Sequence, residues 1–208
     1  MNFKFLMYTG ICAVLMVLFW ALVNFYTNEQ KQLKIPYYTS RVNAERYLKI
    51  TPFALLNQNG KTINQNRIHS KITVIEFFFT TCKSICPIMN KHLKEVYQQL
   101  SDTSIHFLSF TVDPERDTPE QLQGYAKQLG VNESRWDFVT GSKSELYALA
   151  RHCFELDSNV VDNKHEDFIH TQQIVVLDRQ GFVRGYFDGT SASAMDSLKQ
   201  CVIQLLKL

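Results

Sequence analysis

Cys82 and Cys86, with three residues between them, lie in the run F-F-F-T-T-C-K-S-I-C-P-I-M, residues 77–89. Thiolate sulfur is both a nucleophile and a metal ligand, so a close pair offers two chemistries. A C-x-x-C pair at a helix start reads as a dithiol redox couple. The wider C-x-x-x-C spacing instead sets the two sulfurs one above the other on a helix face. Two soft thiolates so placed suit a soft ion such as Cu(I), which accepts low coordination numbers, whereas zinc takes four ligands. The competing reading is a pair of buried, inert cysteines, because free cysteine is among the most buried residue types.

The elements around the pair decide what it can do. Val74, Ile75, Phe77, Phe78 and Phe79 form a near-continuous apolar run, as a central strand covered on both faces requires. Pro87 cannot donate a backbone hydrogen bond and suits the first turn of a helix. The cysteines therefore fall where a buried strand over 72–79 hands over to a helix over 87–100. Free N–H groups and the positive end of the helix dipole favour thiolate there, and Lys83 pushes the same way.

Downstream, residues 105–112 alternate as a strand. Thr118 and Pro119 open a helix that stops at Gly130. A short strand follows over 136–139, then a helix over 142–153 with Ser142 and Glu145 spaced as a capping box. Residues 158–168 are polar and read as an exposed loop. Strands over 174–177 and 182–187 flank the turn Asp178-Arg179-Gln180-Gly181, and an amphipathic helix covers 192–206. Ahead of all these, 53–57 and 62–63 flank Asn59-Gly60, a β-hairpin signal. The predicted fold is α/β: a mixed sheet flanked by helices, with an N-terminal β-hairpin. A β-α-β unit followed by β-β-α, with cysteines opening the first core helix, is a thioredoxin-like arrangement.

The N-terminus differs in kind. No charged residue stands between Lys4 and Glu29, and residues 5–23 are almost wholly apolar. At about 1.5 Å per residue such a run is long enough for a hydrocarbon core of roughly 30 Å. Trp20, Phe25 and Tyr26 suit an interfacial belt, and no small-residue cleavage site follows. The expected organisation is a single transmembrane anchor over 1–28, a tether over 29–50 and one domain over 51–208. The net charge of +2, with both signs interspersed, excludes an evident nucleic-acid surface. Five cysteines without regular spacing argue against a disulfide-stapled fold.

A copper site needs a further ligand, and imidazole is the usual nitrogen donor. The candidates are His69, His92, His106, His152, His165 and His170. His92 reads as solvated, His106 and His152 as packing or surface residues, and pattern alone does not select among the rest. The motif over 77–89, the run T-V-D-P-E-R-D-T-P-E-Q-L over 111–122, and His170 eleven residues before Gly181 together resemble the Sco/SenC family. The resemblance covers about 51–206. It implies a membrane-anchored thioredoxin-fold protein with Cys82 and Cys86 as sulfur ligands and His170 as nitrogen ligand of Cu(I), with Cu(II) as a second ion. It also implies delivery of copper to the binuclear copper centre of a cytochrome c oxidase subunit, or to another copper protein. The domain would then face the periplasm from a single-pass anchor in a bacterial inner membrane.

Two departures from that family bear on the chemistry. Many relatives carry proline directly after the first cysteine, where Lys83 stands here; a lysine there is expected to lower the thiol pKa and favour redox reactivity. Many carry aspartate before the histidine, where Ile169 stands, so a partner for His170 must come from elsewhere; Asp113 and Asp117 are candidates, with turn formation and helix capping as their alternative role. The rival function is a thiol–disulfide oxidoreductase in which Cys82 attacks and Cys86 resolves. A peroxidase fits less well, since Phe79 stands where peroxiredoxins place threonine.

Overall fold

The computed structural model describes residues 3–30, 35–156 and 171–208. The chain divides into two compact units, Met1–Lys34 and Ile35–Leu208. The first holds α1, Phe3–Gln30. Its described side chains, Tyr8 and residues 11–24, carry no charge and are all exposed, so no apolar stripe is set against a polar one. Among the described residues no helix is long and apolar enough to cross a membrane.

The second unit is built on one seven-stranded sheet in the order β2-β1-β5-β4-β3-β6-β7. The strands are β1 Ala54–Asn57, β2 Thr62–Asn64, β3 Ile72–Phe78, β4 Ile105–Thr111, β5 Trp136–Thr140, β6 Gln173–Leu177 and β7 Val183–Asp188. β3, β4 and β5 run parallel, while β1, β2, β6 and β7 join by antiparallel pairing. Every residue of β3 and β4 is buried, as strands covered on both faces must be. The β1–β2 turn closes at Gly60, whose φ of +68° is the left-handed geometry glycine adopts without cost.

Helices cover both faces. α2 (Cys86–Gln99), α3 (Pro119–Leu129) and α5 (Ala192–Leu206) bury Met89, Leu93, Leu122 and Leu198 against Phe78, Phe107 and Phe138. On the other face Leu146, Leu149 and Phe154 pack on Ile75, Phe77 and Phe110. The helix expected over 142–153 is α-helical only over α4, Lys143–Ala148, and continues as a π turn over Leu149–Cys153. Ser142 caps it by accepting the Glu145 N–H, but the Glu145 carboxylate takes the Ala54 N–H from β1 and does not close the box. A tertiary donor outcompetes the local one.

The stretch expected as a tether belongs to the core from Ile35 onward. Leu48 and Ile50 are buried among the residues of the second face. Arg184 on β7 donates to the Ile35 and Pro36 carbonyls and to Asp178, with its guanidinium 3.9 Å from the Tyr37 ring centroid. Composition hid this because the anchoring groups come from residues about 150 positions away.

α3 contains Gly124 in its interior. Its φ is not positive, and a Cβ there would meet nothing within 4 Å. Glycine inside a helix costs about 1 kcal/mol relative to alanine. Gly124→Ala is therefore expected to raise the thermal midpoint by about 2–4 °C in a domain of this size. A midpoint that falls in calorimetry would show that the position is crowded.

Candidate functional site

The loop between β3 and α2 carries Cys82, and Cys86 is the first residue of α2. Ile85 is the N-cap and provides no side-chain cap, and Pro87 sits in the first turn as its missing N–H allows. Cys82 is half-buried while Cys86 is 4 % exposed, and both are free thiols. The loop is held from below by Asp117. Its buried carboxylate accepts the Thr80 N–H at 3.1 Å and the Thr80 and Thr111 hydroxyls at 2.5 Å each. Asp117 thereby ties the D-P-E-R-D loop after β4 to the residues just ahead of Cys82. A buried carboxylate with three donors is satisfied, and it fixes what its donors belong to.

The two thiols influence one another and are electrically unequal. Burial pushes the Cys82 thiol up. Hydrogen bonds from the Cys86 thiol, from the Cys86 and Ser84 N–H groups, and from the Ser84 hydroxyl outweigh it, so its pKa falls below the ordinary value. The N–H groups at the start of α2 thus serve the sulfur of the loop. Cys86 goes the other way: burial first, then its bond to Cys82, push its thiol well up. The expectation that the helix start favours thiolate holds for Cys82 and fails for Cys86, where desolvation wins. Iodoacetamide labelling of Cys82, located by peptide mass, is accordingly expected to reach half-maximum below pH 9.0, the ordinary thiol value, while Cys86 stays unlabelled in the folded chain. Equal labelling of both with an ordinary midpoint would contradict this asymmetry.

Beneath the cysteines lies Glu76, a fully buried carboxyl in the middle of β3. Ser109 Oγ donates to its Oε1 at 2.6 Å, and Trp136 Nε1 donates in turn to Ser109 Oγ at 2.8 Å. Its Oε2 has no partner among the described residues. Burial raises its pKa to about 7, and a charge on it would raise Cys86 further. The apolar run hides Glu76, whose only signal in the sequence is a lone acid inside it.

A cavity of about 60 Å³ opens between the strand ends and the cysteine loop, lined by Phe77, Phe78, Phe79, Cys82, Ser84, Ile85, Cys86, Val112 and Thr171. Thr171 is 8 % exposed and directly follows His170 in the chain. His170, His165 and the loop 158–168 lie outside the described residues. Among those described, no group of three or more His, Cys, Asp or Glu side chains is arranged to hold a metal ion. Of the other histidines, His92 is half-buried, with Nδ1 2.9 Å from the Gly189 carbonyl, not simply solvated. His106 is fully buried with Nε2 2.9 Å from Asp137. His69 meets the Ser70 hydroxyl, and His152 is exposed in the π turn. Asp113 and Asp117 were candidates to support His170. Asp117 is committed to the Cys82 loop, and Asp113 is within 3.8 Å of Arg116.

Known proteins with this arrangement agree with one another. The SCO1/SenC family model matches residues 42–203. The SCO1 protein homolog of Bacillus subtilis (strain 168) is 28% identical over 153 residues, which is 72% of this chain and 79% of that protein. BsSco, a member of the Sco family of cytochrome c oxidase assembly proteins in which a disulfide switch was identified, is 29% identical. It superposes with a TM-score of 0.65 over 77% of this chain and 94% of its own. Bradyrhizobium japonicum ScoI, solved with copper bound, is 26% identical with a TM-score of 0.58, covering 73% of this chain and 98% of its own. With a thioredoxin-like α/β sheet, a cysteine pair at the start of α2 and a family match across most of its length, this chain belongs to the SCO1/SenC family.

Proposed function

We propose that the chain is a copper metallochaperone that holds Cu(I) on Cys82, Cys86 and His170 and passes it to a cytochrome c oxidase subunit with a binuclear copper centre, or to another copper protein. The observation that carries the reading is Thr171 in the wall of the cysteine cavity. Thr171 lines the same cavity as both cysteines, and the nitrogen ligand of this reading, His170, is its neighbour in the sequence. The donor set fits a soft monovalent ion: two thiols lining one cavity, one already inclined to ionise. Loading would displace the Cys86 proton, so affinity should rise with pH. Three ligands leave room for an acceptor's sulfur to enter, and transfer proceeds by exchange of thiolates. Oxidation of Cys82 and Cys86 to a disulfide would remove both sulfur ligands and end binding. In this reading α1 anchors the protein in a bacterial inner membrane, with the 35–208 unit on the periplasmic side.

The inequality of the two thiols supports a second reading, a thiol–disulfide oxidoreductase acting on the acceptor's cysteines. A half-exposed sulfur of lowered pKa attacks, and a buried thiol resolves. Cu(I) titration of the reduced chain separates the two. The chaperone requires one copper per chain, with tight binding lost in Cys82→Ala, Cys86→Ala and His170→Ala. Binding unchanged in His170→Ala, with thiol exchange intact, would transfer the function to the reductase.

A further inference from the structure

We propose that the cleft between α2 and α3 is a docking groove for an extended, uncharged segment of the partner polypeptide, which runs past Gly124 and brings its cysteine to Cys82. The proposal rests on the reading that Cys82 exchanges copper or sulfur with another protein, and it names where that protein is held.

The cleft measures about 670 Å³ and opens at the Cys82 side of the loop. Its polar lining includes Thr80, Asn90, Gln121 and Gln128, and no carboxylate, ammonium or guanidinium group lines it. A charged small molecule would find no counter-charge there. An extended backbone, which presents N–H and C=O groups in alternation, finds neutral side chains able to donate and accept. Pro87 and Leu129 supply apolar wall between them.

Two further observations point to an occupant. Asn90 is 2 % exposed; its Nδ2 donates to the Cys86 carbonyl, and its Oδ1 has no partner among the described residues. A buried acceptor without a donor is unfavourable unless something supplies one. Gly124 stands on the facing helix, where neither its backbone angles nor any neighbour in the domain requires glycine. What a missing side chain provides there is a flat wall, and a second backbone can approach it closely.

The test uses the full chain in detergent, with Cys86→Ser to trap adducts. The probes are the homodisulfide of an uncharged, end-blocked nine-residue peptide with a central cysteine, and bis(2-hydroxyethyl) disulfide. In each case the Cys82 thiolate attacks one sulfur, the probe's S–S bond breaks, and the other half leaves as thiolate. The adduct on Cys82 is read by mass against time. Gly124→Gln, which projects a polar side chain into the cleft from an open position, is expected to lower the ratio of peptide rate to small-disulfide rate about tenfold. The small-probe rate should hold and the thermal midpoint should not fall. Gln128→Ala, on the same wall, should lower the ratio about threefold. An unchanged ratio in both variants overturns the groove, and so does a ratio that varies with protein concentration, which would place a second copy of the chain in the cleft. Cu(I) titration of Gly124→Gln with Cys86 intact keeps the two ideas apart. Stoichiometric copper with an unchanged ratio removes the groove alone, while a wild-type chain that takes up no copper removes the reading beneath it.

Discussion

Asp117→Ala is expected to destabilise the 35–208 unit by about 3 kcal/mol and to loosen the Cys82 loop at the same time. The carboxylate accepts three hydrogen bonds in a site with no exposure, and its loss strands the Thr80 N–H and the Thr80 and Thr111 hydroxyls. Bonds to a charged acceptor contribute about 1.5–3 kcal/mol each, and stranded donors carry their own desolvation cost. The three share one acceptor and are not additive, so the total falls below their sum. In a domain of this size the thermal midpoint should drop by about 6–12 °C. Because Thr80 is two residues ahead of Cys82, the pH midpoint of Cys82 labelling should also move toward the ordinary thiol value as its hydrogen bonds relax. A variant that loses stability and leaves the Cys82 profile untouched would show that Asp117 is structural only.

Asp137→Ala should destabilise by a comparable or larger amount, about 3–5 kcal/mol, and leave Cys82 alone. Asp137 and His106 are both fully buried; Arg67 and Asn57 complete the cluster at 2.6 and 2.9 Å. Removing the anion from a buried pair costs more than the pair contributes, because its partners stay behind desolvated. His106 stands opposite Thr73 near the start of β3, at the far end of the strand from the cysteine loop. Burial tends to raise the Asp137 pKa, but bonds from His106, Arg67 and Asn57 bring it below its ordinary 3.8. Its stabilisation is thus present above that value and lost as pH falls through the lower folded one. Burial also lowers the His106 pKa below 6.5, despite its bond to Asp137, so stability starts to decline with acid from about that pH. Urea melts across pH 3–8 should show both declines in the wild-type chain; the variant should lose the one below pH 3.8 and keep or deepen the one that starts near 6.5, because Asp137 raises the His106 pKa. Altered copper binding or altered Cys82 labelling in Asp137→Ala would mean that the two ends of the sheet are coupled.

Those two aspartates also mark where the sequence was legible and where it was not. Elements whose signal is local came through: Thr118, Pro119 and Gly130 bound α3 as their backbone chemistry requires, and the strand expected over 72–79 is the fully buried β3, which stops one residue short, at Phe78. The cysteine pair was legible because spacing and the following proline are local facts. What failed depended on distant partners. Glu145 satisfies the capping-box pattern but serves Ala54 on another strand, and 35–50 reads as tether until Arg184 is seen to hold it. Asp117 reads as a turn residue, and nothing local reveals that its acceptor lone pairs serve Thr80, 37 positions earlier. Cys86 is the case where two local effects compete. A helix start lowers a thiol pKa and burial raises it, and only the depth of the residue decides between them.

Copper X-ray absorption on the full chain loaded with one equivalent of Cu(I) tests most directly whether Cys82, Cys86 and His170 converge on one ion. Two sulfur scatterers and one imidazole nitrogen are expected, with the imidazole contribution absent in His170→Ala. A wild-type spectrum with sulfur ligands alone, identical to that of His170→Ala, would contradict the three-ligand site.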